Sequence, residues 1–181
     1  QDWFFYPKQL TGNADTYIKF NTDNTVASDA HTYPNVEPTS TVYTVGGDDG
    51  GDGTNGNGKA YVAYCWSEVA GYSKFGKYDG NGSSDGRFVH TGFKVTWLLI
   101  KRITSAEHWI LADTKRNSNV GRESPADSYL LASANNAEST GIVYDMLSNG
   151  FKFRSTSQNT SGHTYLYMAF AESPFKYSRA R

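Results

Sequence analysis

The sequence predicts an all-β protein, an antiparallel β-sandwich of jelly-roll-like type, and three observations favour this fold class. Aromatic residues make up 15% of the 181 residues, a large share for a chain that is only 38% hydrophobic. The 18 glycines are typical of short strands joined by many turns. Apolar side chains also alternate with a period of two in several short runs, as they do along strands.

The clearest alternation is YLYMAFAE at residues 165–172. Its odd-numbered residues would face one side of a sheet and its even-numbered residues the other. Both sets are apolar, so we expect a central strand that is buried on both faces. FKVTWLLIKR at residues 93–102 has charges only towards its ends and predicts a second buried strand.

Three further segments complete the predicted strands. DMLSNGFKFR (145–154) predicts a hairpin, with Asn149 and Gly150 as the central residues of a type I′ turn. HWILAD (108–113) predicts a short strand. ADSYLLASANNAEST (126–140) has some helical character, but its match to DTYIKFNTDNT (15–25) favours a strand followed by a loop.

The strand phrase occurs twice, because YVAYCWSE at residues 61–68 resembles YLYMAFAE at 165–172. Other blocks recur in the same order: QDWFFY (1–6) with EHWILA (107–112), DTYIKFNTDN (15–24) with DSYLLASANN (127–136), and STVYTVG (40–46) with NGFKFRS (149–155). We therefore predict two tandem β repeats, residues 1–74 and 75–181. The first has no counterpart of residues 78–102, so we expect it to be incomplete at its N-terminus. Removal of an upstream segment is the favoured explanation, and the alternative is that the first copy takes these strands from elsewhere.

Charge and cysteine content exclude several classes of function. The net charge of −1 argues against nucleic acid as a partner, and no apolar run is long enough for membrane insertion. Cys65 is the only cysteine, so neither a disulfide within the chain nor a cysteine-based metal site is possible. Because Cys65 lies in a predicted strand, we expect it to be a small buried hydrophobe.

One glycine-rich loop is the only candidate for a metal site. GGDDGGDGTNGNG (46–58) contains Asp48, Asp49 and Asp52, and a flexible backbone with hard oxygen ligands suits Ca²⁺. The spacing does not match an EF-hand, however, and a solvated connection between strands is the simpler interpretation. We therefore predict no cofactor.

No catalytic motif occurs in the chain, and we predict that it is not an enzyme. Glu68 and Glu172 end the two copies of the repeated phrase and raise the alternative of a glycosidase with paired carboxylates. Each is more simply interpreted as a strand-end residue that satisfies a turn or a basic side chain.

Aromatic side chains offer a better prediction of function. Thirteen tyrosines and four tryptophans are more than a core of this size needs, and exposed rings stack on sugars or anchor protein interfaces. The tyrosines nearest to predicted loops are the candidate ligand-binding residues: Tyr33, Tyr72, Tyr78 and Tyr177. Core packing is the alternative for each of them.

The chain also resembles a family of tailed-phage virion proteins, frequent in marine phages, that are tail-fibre or structural proteins with LamG-like or uncharacterised β domains. The stretches that carry this resemblance are YVAYCWSEVAGYSKFGKYDGNGSSDGRFVHTGF (61–93), LLIKR (98–102), NAEST (136–140), LSNGFKFR (147–154) and YLYMAFAESPFK (165–176). The phrase AYCWSEVAGYSKFGKYDGNG (63–82) is the most specific part of them.

The resemblance implies a protein of the virion surface, made in the host cytoplasm. It implies a tail-fibre or adhesin module that binds a host surface glycan or protein. Expected partners are other virion proteins and further copies of the chain, with a trimer as one possible oligomer. The alternatives are a purely structural component, such as a capsid decoration or a fibre shaft, and a polysaccharide depolymerase. The resemblance implies no catalytic residues.

Overall fold

The computed structural model describes residues 2–8, 14–47, 53–116, 127–142 and 144–172. These ranges contain no α-helix and eleven short strands. The strands are β1 (Phe4–Phe5), β2 (Thr16–Lys19), β3 (Ala27–Ser28), β4 (Ser73–Asp79), β5 (Phe88–His90), β6 (Trp97–Arg102), β7 (Ile110–Asp113), β8 (Tyr129–Leu131), β9 (Tyr144–Leu147), β10 (Gly150–Phe153) and β11 (Thr164–Phe170). The predicted all-β class is confirmed.

The strands form three antiparallel sheets. A five-stranded sheet has the order β4-β11-β6-β7-β8, and two three-stranded sheets have the orders β5-β10-β9 and β1-β2-β3. Strand β11 lies inside the large sheet, where Tyr167 is opposite Gly76 of β4 and Ile100 of β6. The predicted central position of residues 165–172 is therefore correct.

The main core lies between the five-stranded sheet and the β5-β10-β9 sheet, as in a β-sandwich. The odd-numbered residues of β11, Tyr165, Tyr167 and Ala169, point into it. Phe151 of β10 meets Tyr167 edge-on, with ring centroids 5.3 Å apart. Aromatic rings thus fill much of the space between the two sheets, as the composition predicts.

The opposite face of the large sheet is covered by the N-terminal strands. Leu166 and Met168 of β11 lie in a second apolar cluster with Ile18 of β2 and with Trp109. Leu166 and Met168 are therefore buried as well, so both apolar faces of β11 are covered, as predicted.

The predicted hairpin forms, but its turn is displaced by one residue. Leu147 of β9 is opposite Gly150 of β10, so Ser148 and Asn149 are the central turn residues. Neither has a positive φ, so the turn is not of type I′. Gly150 is needed in the strand instead, because a Cβ there would lie 2.1 Å from the carbonyl oxygen of Val89.

The prediction of a second central strand at residues 61–68 is wrong. These residues belong to no strand and are all exposed. Cys65 is consequently exposed, not buried. Residues 40–46 likewise form no strand, and the predicted boundary between residues 74 and 75 falls inside β4. The duplication of the chain is therefore not confirmed.

Candidate functional site

Three exposed aromatic rings form a row on the surface, which we call the aromatic ladder: Trp3, Tyr64 and Trp66. The ring centroids of Trp3 and Tyr64 are 6.4 Å apart with planes inclined by 22°, and those of Tyr64 and Trp66 are 6.1 Å apart and inclined by 27°. Their exposed fractions are 54%, 64% and 54%. A group of large apolar rings exposed side by side on a protein surface usually marks a binding site.

Trp3 is held in place through its backbone. Its N–H donates a hydrogen bond of 2.9 Å to the side-chain oxygen of Asn21, and its carbonyl accepts one of 2.8 Å from Phe20. These bonds continue the pairing of β1 with β2, in which Phe4 is opposite Lys19. The indole ring is therefore presented by a fixed backbone while the ring itself stays in solvent.

Tyr64 and Trp66 are neighbours because the chain is extended between residues 59 and 68, without a turn or bend. In an extended chain residues two apart point to the same side. Tyr61 holds the N-terminal end of this stretch, where its hydroxyl accepts a hydrogen bond of 2.8 Å from the Gly56 N–H. Ser73 holds the other end, since its hydroxyl donates to the carbonyl of Ser67 at 2.9 Å.

A polar cluster flanks the Trp3 end of the ladder. Asp2 forms an ion pair with Lys19 at 2.5 Å and accepts a hydrogen bond of 3.1 Å from the Asn21 amide. The hydrogen bond from Lys19 and that from Asn21 hold the pKa of the Asp2 carboxyl below its usual value. A carboxylate, an amide and an ammonium group beside an aromatic surface can accept and donate hydrogen bonds to ligand hydroxyls.

The predicted ligand-binding tyrosines are not brought together. Tyr33 is half-buried in the N-terminal layer, 5.4 Å from the ring of Tyr6, and burial raises its pKa to about 12. Tyr72 is half-buried edge-on against Phe170 at 5.9 Å. Tyr177 lies outside the described residues.

Tyr78 is a core residue, so the prediction that its ring is exposed near a loop is wrong. Only 8% of it is exposed. Its ring stacks on that of Tyr165, with centroids 5.1 Å apart and planes inclined by 11°. The hydroxyl donates a hydrogen bond of 2.7 Å to the carbonyl of Gln158. Side chains alternate between the two faces of β4, and Tyr78 is on the inner face. Tyr78 is therefore buried although a glycine-rich loop follows it closely.

The aromatic ladder was not predicted from the sequence, although its residues carried a signal. Tyr64 and Trp66 are two residues apart in an extended run, which fixes them on one side. The pattern was interpreted as a buried strand, because alternation alone does not show whether neighbouring strands cover it. Trp3 is remote in sequence, and its contact with Tyr64 is visible only in three dimensions.

The weak metal candidates and the alternative carboxylate pair can be located only in part. Asp48, Asp49 and Asp52 lie outside the described residues, and within those residues no group of three His, Cys, Asp or Glu side chains could hold a metal ion. Glu68 pairs with Lys74 and Glu172 with Lys115, each at 3.2 Å. The two carboxylates thus belong to separate ion pairs.

A family model matches residues 1–174, nearly the whole chain. The chain belongs to the DUF7483 family, a domain of unknown function. The DUF7483 match includes every residue of the aromatic ladder and runs through the predicted boundary at residue 74. The chain has no match among curated proteins or among solved structures. No helix in the described part of this DUF7483 chain is long and apolar enough to cross a membrane.

Proposed function

We propose that this DUF7483 chain is a binding module of a phage virion, and that it attaches the particle to a glycan on the host cell surface. The observation that carries the proposal is the aromatic ladder. Its three exposed rings lie nearly parallel to their neighbours, with inclinations of 22° and 27°. Such rings present flat apolar faces on which the C–H faces of sugar rings stack.

The polar cluster beside the ladder supports a carbohydrate ligand. Asp2 and Asn21 offer oxygen and nitrogen atoms to sugar hydroxyls next to Trp3. A row of three rings suits several consecutive sugars of a polysaccharide rather than one enclosed monosaccharide. The binding surface is open, so we expect weak affinity at each site and a gain from several copies on one particle.

Charge favours a glycan over a single-stranded nucleic acid, which also stacks on aromatic platforms. Nucleic-acid platforms lie in positively charged grooves that follow the phosphates. The chain has a net charge of −1, and the carboxylate of Asp2 adjoins the ladder through its bond to Asn21. A neutral ligand with apolar faces and hydroxyl groups fits this environment better.

The virion part of the proposal is supported by the resemblance of residues 61–93 and 165–176 to tailed-phage fibre and structural proteins. A host surface protein is the other ligand that the resemblance allows. A structural virion component is a second candidate function, and the exposed apolar stretch at residues 60–67 favours it. Glu68 and Glu172 give no support to a depolymerase, because each is paired with a lysine.

The carbohydrate proposal is tested by binding the purified chain to neutral bacterial surface polysaccharides. Tyr64→Ala and Trp66→Ala should each weaken binding about tenfold or more, since stacked aromatic anchors carry much of such binding energy. Phe88→Ala is the matched control, because Phe88 is an aromatic residue of β5 that is 44% exposed and is not part of the ladder. Equal binding by all three variants would contradict the ladder as the site.

The virion proposal needs a separate measurement. Mass spectrometry of purified phage particles that encode the chain should detect its peptides, and an antibody against it should label intact particles. Antibody that labels only disrupted particles would argue against a surface position, and a chain missing from the particles would refute the virion assignment.

A further inference from the structure

The extended stretch that carries Tyr64 and Trp66 has an unusual backbone. We call residues 60–67 the open segment. Among the described residues, no backbone N–H or C=O group between 60 and 66 is hydrogen-bonded to another backbone group. Its apolar side chains are exposed too, with Val62 at 70% and Tyr64 at 64%. The segment is thus a stretch without turn or bend, and it lacks the hydrogen-bonded neighbours that would make it a strand.

The chain itself shows what normally surrounds such a sequence. The similar phrase at residues 165–170 is hydrogen-bonded on one edge to β4 and on the other to β6. An exposed apolar strand with free edges is a template for pairing with another chain. Natural edges are usually protected by charge, and the edge strand β4 carries Lys74 and Lys77. The open segment contains no charged residue and no proline.

We propose that the open segment pairs antiparallel with the open segment of a second copy of the chain. This goes beyond glycan binding, because it assigns an interface between subunits. The segment is suited to a copy of itself: it is uncharged, so self-pairing places no like charges opposite each other. The pairing also supplies partners to backbone groups on one edge of each segment.

Symmetry restricts the register. In a symmetric antiparallel pair, the twofold axis is perpendicular to the sheet and puts each residue and its copy on the same face. The residue at the axis must therefore lie opposite the same residue of the partner. Centring the axis on Cys65 places Tyr64 opposite the partner's Trp66, and this aromatic pair occurs twice. Centring it on Ala63 or Tyr64 gives no such double aromatic pair. Aromatic cross-strand pairs stabilise sheets, so we assign the register centred on Cys65.

This arrangement leaves the aromatic ladder available. Pairing uses the edge of the strand, whereas the rings of Tyr64 and Trp66 project from its face. The ladders of the two copies would lie on the same face and join at the axis. The dimer therefore offers one continuous aromatic surface of twice the length to a polysaccharide.

The first experiment measures molar mass by light scattering and sedimentation over a range of protein concentrations. We expect a reversible dimer in the micromolar range, because a single strand pair is a small interface. Proline removes an N–H and blocks one edge of a strand. Adjacent residues direct their N–H groups to opposite edges, so Val62→Pro and Ala63→Pro together test both edges, and at least one must abolish the dimer.

Val36→Pro is the matched control, since Val36 is 55% exposed and lies in a loop. Circular dichroism and thermal unfolding of every variant will show whether the fold is retained. A chain that remains monomeric at all concentrations overturns the proposal. A dimer that both proline variants form as readily as the wild type also overturns it.

The register has its own test, which uses the only cysteine. Directly opposite residues of antiparallel strands have Cα atoms about 4.5–5.5 Å apart, within the range that a disulfide spans. Mild oxidation should therefore link Cys65 to the partner's Cys65 and give a covalent dimer. The Ala63→Cys, Cys65→Ser double variant moves the thiol two residues along and should link poorly. Stronger linking by the double variant than by the wild type would refute the register.

Discussion

The indole N–H of Trp109 donates a hydrogen bond of 3.1 Å to the carbonyl of Lys19, and this contact joins the N-terminal strands to the five-stranded sheet. Trp109 immediately precedes β7 and is only 1% exposed. The rings of Phe5 and Phe20 pack against it at 5.4 and 5.0 Å. The Trp109 side chain thus buries a large apolar ring and also donates a hydrogen bond to the last carbonyl of β2.

We expect Trp109→Phe to lower the free energy of unfolding by about 2–4 kcal/mol, because it creates a cavity and leaves the Lys19 carbonyl without its donor. Urea unfolding followed by circular dichroism measures the change. Trp3→Phe is the control: Trp3 is 54% exposed, so its change should stay within about 0.5 kcal/mol. Equal effects of the two substitutions would refute the anchoring role of Trp109.

Asn159 organises the loop between β4 and β5. Its side-chain amide donates hydrogen bonds to the Asn81 side chain at 2.6 Å and to the Ser83 carbonyl at 2.7 Å, and its oxygen accepts one of 3.1 Å from the Asn81 N–H. Asn159→Ala should cost about 2–3 kcal/mol, since these groups lose their partners. For a chain of this length that lowers Tm by about 5–10 °C. Asn136→Ala, at an exposed position, should leave Tm nearly unchanged.

The sequence predicted the fold best where one strand has neighbours on both edges. In β11 the alternation of Tyr165, Leu166 and Tyr167 was enough to assign two apolar faces, and both are buried. The hairpin at residues 145–154 was predictable from its turn residues, but its register was not. Register depends on the close approach of β5 to Gly150, which is a contact from a distant part of the chain.

The open segment shows why the candidate site could not be predicted. Its alternation is nearly that of β11, yet Cys65 is exposed and the residues around it form no strand. A strand is a property of a pair of segments, so a local pattern cannot show whether a partner is present. The same pattern that indicated a core therefore produced an exposed aromatic surface. The contact between Trp3 and Tyr64, 61 positions apart in the chain, has no local signal at all.

Lys101 is a buried ammonium group with a predictable effect on pH dependence. It is completely buried, and its Nζ donates hydrogen bonds to the carbonyl oxygens of Asp23, at 2.9 Å, and Glu107. Burial lowers the pKa of Lys101 to about 8, although the charges of Asp23 and Glu107 partly oppose this effect. Between pH 8 and the ordinary lysine pKa of 10.5, the unfolded chain binds more protons than the folded chain. Stability should therefore rise with pH in this interval.

The pH effect is measured as the difference between the wild type and Lys101→Met, which has no titrating group at this position. Urea unfolding at pH 7.5, 8.5 and 9.5 should show the wild type gaining on the order of 1–3 kcal/mol relative to the variant. Other titrating groups are common to both proteins and cancel in the comparison. Parallel pH profiles would mean that Lys101 has an ordinary pKa in the folded chain.

Several buried or half-buried tyrosines should make the stability of the fold decrease with pH above pH 10. Burial raises the pKa of Tyr33 and of Tyr167 to about 12, and it raises the pKa of Tyr78 and Tyr144 well above the usual value. Above pH 10 these phenols lose their protons in the unfolded chain while the folded chain retains them. The folded state is then the one that binds more protons, so stability falls as pH rises.

Tyr167→Phe separates one of these contributions, because it removes the hydroxyl and keeps the ring in the core. We expect the stability of the variant to decline less steeply between pH 10 and 11.5 than that of the wild type. Phenolate absorbance should show delayed ionisation of several tyrosines until the fold is lost. A variant at position 167 that declines as steeply as the wild type would contradict the raised pKa of Tyr167.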